Sequence, residues 1–269
     1  MNDISFGQYY PGNSVIHRLD PRMKTILIIL MMVAVFICKN YLALGITVLT
    51  TALIILISRV NIKTILKGVK PILIIVLITT LLNLFYGVGE PIVSFWIFNI
   101  TLNGINNAVF MASRVLLLII LGLMLTYTTT PTALTDAVES LLKPLKVFKI
   151  DVHSIAMTMT IALRFIPTLI EEVDKIMSAQ KSRGADMESG GIINRVKAVV
   201  PVIIPLFISS FRRANELADA MECRCYRGGE GRTKMNVMHL KWLDYLSMLL
   251  VIAYFTGIVL IRIFMADII

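Results

Sequence analysis

Apolar residues are distributed along this chain in two different patterns. From Thr25 to Ser58 they run almost without interruption, broken only at Lys39-Asn40. A single straight helix of that length would extend roughly 50 Å, against a hydrocarbon core of about 30 Å. The stretch is therefore predicted to be a hairpin of two membrane spans turning at Lys39-Asn40. Asp20 followed by Pro21 supplies an N-cap and a first helical residue at its start. Three further runs of the same kind follow, from Pro71 to about Tyr86, from about Ala108 to Tyr127 and from about Trp242 to Ile261. Between the third and fourth runs, the aromatic patch Phe95-Trp96-Ile97-Phe98 is too short to cross and suits a turn at the membrane interface.

The second pattern occupies residues 128–240 and has the period of amphipathic helices. Thr130 can cap, Pro131 start and Pro144 stop a short helix whose apolar side is Leu134, Val138, Leu141 and Leu142. Two long helices follow. In the first, Leu169, Ile170, Val173, Ile176 and Met177 lie opposite Glu171, Glu172, Asp174, Lys175 and Ser178. In the second, Val196, Val200, Ile203, Phe207, Phe211, Ala214, Ala218 and Met221 step by three and four, drawing one apolar seam. That seam is predicted to be an interface, with the first long helix or with a partner. Pro167, Pro201 and Pro205 fall inside these helices, where each costs about 3 kcal/mol, so kinks are expected. The organisation predicted is a membrane region with four spans (1–127), a helical region (128–240, with helices 131–143, 151–183 and 192–226) and a fifth span (241–269). The fold class is an all-α integral membrane protein, with about five transmembrane helices plus three amphipathic helices on the cytoplasmic side.

The two long helices end alike. Ala179-Gln-Lys-Ser-Arg-Gly184 aligns with Ala220-Met-Glu-Cys-Arg-Cys225, a small internal repeat. Taken singly, each arginine reads as a cation offsetting the helix dipole in the last turn, and Gly184 as an ordinary helix stop. The pairing of two matching ends reads instead as a two-pronged dock. Its prongs are Ser182, Arg183 and Gly184 on one helix, and Cys223, Arg224 and Cys225 on the next. Lacking a glycine directly after its arginine, the second helix is expected to run on toward Gly228.

Composition fits a membrane protein. The 269 residues are 57% hydrophobic and 16% charged, with a mean hydropathy of +0.81, where ordinary soluble domains are nearer half apolar and a quarter charged. The net charge of +9 sits beside apolar runs rather than among polar and aromatic residues, which favours membrane orientation over nucleic acid. Arg18, Arg22 and Lys24 precede the first span, and Arg59, Lys63, Lys67 and Lys70 lie between the second and third. The opposite side carries Lys39 and Arg262. The positive-inside rule then puts the N-terminus in the cytoplasm and the C-terminus outside. Met1 to Asp20 is polar and holds no signal-peptide core.

Several chemistries have no residues to support them. No Asp or Glu is read inside a span, as an ion-driven carrier would need. No G-x-x-x-x-G-K-[ST] cradle exists, and Gly228-Gly-Glu-Gly-Arg-Thr233 reads as a flexible loop. His17, His153 and His239 are scattered, and Cys223-x-Cys225 has no second ligand pair, so no metal, cofactor or catalytic residue is expected. Cys38, Cys223 and Cys225 form no disulfide framework. Arg114 is the ionisable residue well inside a span. Such a charge is functional by default, or else bonds a structural partner in the bundle, the reading favoured here.

Taken in order, four motifs resemble the transmembrane T component of energy-coupling factor transporters. They are His17-Arg-Leu-Asp-Pro-Arg-x-Lys24, Thr129-Thr-Pro with Leu141-Leu-x-Pro-Leu145, Arg164-Phe-Ile-Pro-Thr-Leu-Ile-Glu-Glu172 leading to Ser182-Arg-Gly184, and Ala220-Met-Glu-Cys-Arg-Cys-Tyr226. The resemblance implies a non-catalytic coupling scaffold in the bacterial cell membrane. Two cytoplasmic ABC-type ATPases would dock on the tip arginines, Arg183 and Arg224, and a membrane-embedded S component that binds a vitamin would sit on the long helices. The unlike flanks, Ser-Arg-Gly and Cys-Arg-Cys, imply two non-identical ATPases. The glycine-rich segment after Tyr226 is similar to versions that serve several vitamin S components. A self-contained permease or channel with a cytoplasmic regulatory domain is the alternative, and it would transport without nucleotide.

Overall fold

The computed structural model describes residues 9–85, 91–95, 98–149, 151–184, 191–228 and 238–264. Helix dominates. The elements are α1 (Pro21–Ile37), α2 (Tyr41–Ser58), α3 (Ile62–Val69), α4 (Leu73–Phe85), strands β1 (Pro91–Phe95) and β2 (Phe98–Thr101), then α5 (Leu102–Thr128), α6 (Pro131–Leu142), α7 (Val152–Ser182), α8 (Ile192–Cys223) and α9 (Trp242–Phe264). Residues Met1–Ala137 and Asn236–Ile269 form one compact unit, and Val138–Met235 a second.

The first unit is a bundle built around α1 and α5. Ile28, Met31 and Val35 of α1 meet Leu117 and Leu121 of α5 in the main core, where Leu121 is fully buried. The predicted turn at Lys39-Asn40 is present between α1 and α2. The basic connector that the sequence places between the second and third spans is itself the helix α3. Its Ile65 and Val69 pack on Met124 and Tyr127 of α5, while Lys63 and Lys67 are exposed. A single 3-10 turn at Lys70–Ile72 carries α3 into α4. Pro71 takes the place in that turn where its missing N–H costs least. Residues 62–84 therefore run as one rod.

Among the described residues, five helical stretches are long and apolar enough to cross a membrane: α2, the α3–α4 rod, α5, α7 and α9. The number matches the expectation and the membership differs. Helix α1, predicted as the first span, has 17 residues before Cys38 ends it. That length, about 25 Å, stands at the lower limit for crossing. Helix α7 joins the set because its N-terminal half is apolar. Outward-facing Ile74, Leu77, Leu249 and Leu250 are each at least 60% exposed, a surface suited to lipid and costly in water. Hydroxyls of Thr47, Thr51, Thr80 and Thr256 bond carbonyls one turn back, as backbone and side-chain satisfaction inside a bilayer requires.

The segment expected to be an interfacial turn is an antiparallel hairpin, with Val93 opposite Ile100 and Phe95 opposite Phe98. Trp96 and Ile97 lie outside the described residues. Thr101 closes the hairpin by capping α5, its hydroxyl accepting the Gly104 N–H at 3.0 Å. This cap extends α5 six residues beyond the predicted start.

Helix directions in this unit follow from three bonds at one end. The carboxylate of Asp244, 1% exposed, accepts the N–H of Asp20 at 2.8 Å and that of Lys241 at 2.7 Å. Those are the N-terminal caps of α1 and α9, so one carboxylate serves two helix starts. Lys24, equally buried, donates from Nζ to the Thr128 carbonyl at 2.9 Å, the last residue of α5. Helices α1 and α9 thus start where α5 ends. Asp244 was missed in the sequence because it stands within the first turn of an apolar run.

Candidate functional site

The second unit is organised by an antiparallel pair, α7 and α8. Asp151 caps α7, accepting the Ser154 N–H at 3.2 Å. The Ser154 bonds hold its carboxyl below the usual carboxylate range. Along the pair, Gln180 faces Pro201, and Glu172 faces Ser209 and Arg213. Met157 to Arg164 lie with Leu217 to Gly228 around a groove of about 630 Å3. These contacts advance in opposite directions along the two helices.

Two polar links fix the pair. Glu172 receives Arg213 Nη2 at 3.1 Å and the Ser209 hydroxyl, a half-buried charge pair with both carboxylate oxygens engaged. The second link repairs proline damage. Pro205 has no N–H to give the carbonyl four residues back, which belongs to Pro201. Gln180 Nε2 donates to that carbonyl at 3.4 Å. Both long helices continue through their interior prolines.

Both tip arginines occupy the same backbone position. Arg183 is the C-cap of α7 (φ −87°, ψ 5°), and Arg224 the C-cap of α8 (φ −90°, ψ 12°). The next residue is left-handed in each case, Gly184 at φ 87° and Cys225 at φ 55°. The Gly184 N–H donates to Lys181 at 3.0 Å, and the Cys225 N–H to Glu222 at 2.8 Å. At the second tip the Tyr226 N–H also reaches Met221 at 3.0 Å, completing the six-to-one bond of a Schellman stop. The expectation that α8 runs on toward Gly228 is therefore corrected. Cys225 does what glycine does at the first tip, at a steric cost glycine avoids. Ser182, Arg183, Gly184, Cys223, Arg224 and Cys225 are all exposed. Given the antiparallel registers, the two arginines stand roughly 40 Å apart along the pair. Beyond Gly228, the glycine-rich segment to Thr233 lies outside the described residues.

The apolar seam of α8 does not face α7. Val200, Ile203, Phe207 and Phe211 are 45–61% exposed, Ala214 and Ala218 are exposed, and the Phe207 and Phe211 rings pack on each other at 4.7 Å. The side toward α7 is a different stripe, with buried Val202, half-buried Leu206 and Leu217, and the bonding residues Ser209 and Arg213. The Val196 side chain lies outside the described set. The seam is thus an open apolar face on this chain.

Arg114 bonds a backbone group in the bundle. Its Nη2 donates to the carbonyl of Cys38, the C-cap of α1, at 2.8 Å. A cation at that point satisfies an orphan carbonyl and offsets the negative end of the α1 dipole. Among the described residues no group of three or more His, Cys, Asp or Glu is placed to hold a metal ion.

Residues 12–235 match the cobalt transport protein family, CbiQ. The chain is 52% identical over 262 residues to the energy-coupling factor transporter transmembrane protein EcfT of Ruminiclostridium cellulolyticum, covering 97% of this chain and 98% of that protein. It is 47% identical to the protein of the same name in Acidaminococcus fermentans, with the same coverage. The Bacillus subtilis protein of that name is 47% identical over 235 residues, covering 87% of this chain and 89% of that protein. The chain belongs to the CbiQ/EcfT family. As a member of that family it is a transporter transmembrane component, and its apolar helices are those of a membrane protein. The first motif of this EcfT-family chain, His17 to Lys24, now has a physical content. Asp20 caps α1, Pro21 starts it, Lys24 ties it to the end of α5, and His17 bonds Ser14 and the Tyr10 carbonyl.

Proposed function

We propose that this chain is the membrane scaffold of an energy-coupling factor importer, in which Arg183 and Arg224 anchor two cytoplasmic ATPases. The open seam of α8 would receive a membrane-embedded S component that binds a vitamin. One observation carries the reading: two exposed arginines hold the same cap position at opposite ends of one antiparallel helix pair. A lone basic helix end needs no partner, but a duplicated one on a rigid bar suits two related partners. The unlike residues around the arginines favour non-identical ATPases. Seam residues Val200, Ile203, Phe207, Phe211, Ala214 and Ala218 offer the S component an apolar face. The domain reading follows: a membrane region (1–127), a coupling region (128–240) and a closing span (241–269) in the bacterial cell membrane. Hydrolysis itself belongs to the partner ATPases.

Truncating one member of a desolvated charge pair typically costs about 2–5 kcal/mol, whereas an exposed helix-end arginine contributes under about 1 kcal/mol. Arg183→Ala or Arg224→Ala alone should weaken nucleotide-driven uptake while the remaining prong keeps the complex partly assembled. The double replacement should release both ATPases on purification from the membrane. A double variant that still co-purifies with them and transports at the unaltered rate would reduce both arginines to ordinary caps.

A further inference from the structure

We propose that a groove between α2 and α9 is a binding site for one acyl chain of an anionic phospholipid, separate from the coupling helices. The two helices are pinned together at one end, where Tyr254 donates its hydroxyl to Thr47 Oγ1 at 3.0 Å. Beyond that bond, residues of both helices line a cavity of about 400 Å3 floored by Ile28 and Met31 of α1 and Leu121 of α5. Its lining is almost wholly apolar.

The dimensions fit a chain. Leu243 and Tyr254 mark the ends of the α9 wall, roughly 16 Å apart along the helix. At about 30 Å3 for a water-sized methylene, the cavity holds on the order of a dozen carbons. An apolar cavity of this size stays dry, and one that opens sideways between lipid-facing helices is filled from the bilayer at little cost.

Charge selects the headgroup. Lys24 is the one cation lining the cavity among the described residues, at the end opposite Tyr254, where it is buried with its Nζ on the Thr128 carbonyl. Exposed Arg18 stands between the lining residues Ile16 and Leu19, and exposed Arg59 two residues beyond the lining residue Ile57. The carboxylates at this end, Asp20 and Asp244, are buried and committed to backbone N–H donors. Lys24 is already held by the Thr128 carbonyl and the nearby charge of Asp244, so exposed Arg18 and Arg59 are the cations left at this end to meet the phosphate of a chain entering the groove, which favours phosphatidylglycerol over a zwitterionic lipid.

The test uses the full chain with any co-purifying partners, reconstituted in vesicles of phosphatidylcholine with a trace of phosphatidylglycerol carrying a photoreactive group midway along one acyl chain. After irradiation and digestion, cross-links should concentrate on the segments 50–57 and 243–254, at least fivefold above those on the lipid-facing α4. A phosphatidylcholine probe should label the groove at least fivefold less. Leu246→Trp should remove groove labelling and leave α4 labelling unchanged, and Arg18→Gln with Arg59→Gln should bring the two probes to parity. Because the first comparison needs no variant, a misfolded replacement does not decide the outcome. Even labelling of α4 and the groove overturns the site. Equal labelling by both probes overturns the headgroup preference. Groove segments shielded in the assembled complex but labelled in the isolated chain mean that a protein partner fills the groove, which also overturns it.

Discussion

Cys225 holds a left-handed backbone at φ 55°, a region that costs a side-chain-bearing residue about 1–2 kcal/mol relative to glycine. At the matching tip Gly184 meets the same demand without strain. Cys225→Gly should therefore stabilise the chain by about 1 kcal/mol, a rise of roughly 2–4 °C in the thermal unfolding midpoint of purified protein. Cys225→Val should lower it. A midpoint that does not distinguish glycine from valine would mean that the tip is not held left-handed. The two arginines were legible because the same last turn occurs twice, whereas nothing about a cysteine signals a left-handed stop. His17 makes a second residue-scale case. Its Nε2 meets the Tyr10 carbonyl at 3.0 Å and so carries the proton, leaving Nδ1 to accept from the Ser14 hydroxyl at 2.7 Å. The neutral ring is thus fully used. Burial, with the charge of Lys24 in a lesser role and the Tyr10 bond opposing, holds its pKa below 6.5. A depressed imidazole means that the unfolded chain binds the proton more tightly. Its contribution is complete above pH 6.5 and is lost as pH falls through the lower folded value. Between about pH 7.5 and 5 the unfolding midpoint should fall more steeply for the native chain than for His17→Gln. Parallel curves would remove His17 from the account.

At the scale of elements, the sequence pattern located α6 and α7 well because each begins with a cap or a proline and ends at a stop, whereas α8 starts after Gly191 with no side-chain cap and stops at a cysteine. It misread α3, since Arg59, Lys63, Lys67 and Lys70 in close succession look like a connector. Only packing on α5 shows that Ile65 and Val69 form a buried stripe between the cations. Close packing also explains Gly68: a Cβ there would run into the Tyr127 hydroxyl. The α7–α8 contacts were legible only as amphipathicity, and the seam predicted from apolar spacing is rotated away from the stripe that meets α7. Polar residues Ser209 and Arg213 mark the true contact, and a hydrophobic count passes over them. The Gln180 link is open to a double-mutant cycle. If Gln180 serves the carbonyl that Pro205 leaves without a donor, Gln180→Leu should cost about 0.5–1.5 kcal/mol in the native background. In the Pro205→Ala background the helix supplies its own N–H, and the same change should cost close to nothing. Equal costs in both backgrounds would show that Gln180 does not act through that carbonyl.

For the whole molecule, the bonds at one end of the first unit constrain the path of the rest. Asp244 joins the starts of α1 and α9, and Lys24 joins the start of α1 to the end of α5. The chain therefore leaves α5 and enters α9 on the same side of the bilayer, so residues 129–241 cross it an even number of times. Within that segment, among the described residues, α7 is long and apolar enough to cross. With neither α7 nor α8 crossing, as the proposed coupling region requires, the spans are predicted to be α1, α2, the α3–α4 rod, α5 and α9. Arg18, Arg22, Arg59, Lys63, Lys67 and Lys241 then gather on the side where α1 starts, against Lys39 and Arg262 opposite. By the positive-inside rule that imbalance predicts the start of α1 in the cytoplasm and the end of α9 outside. A single cysteine added after Ile269, with Cys38, Cys223 and Cys225 replaced, should react with an impermeant thiol reagent in intact cells. A cysteine introduced at Asn40 should react likewise, and one at Lys63 only after permeabilisation. Should the C-terminal cysteine react only after permeabilisation while the other two behave as stated, α9 would run opposite to α1, and the shared carboxylate of Asp244 could not exist in the membrane.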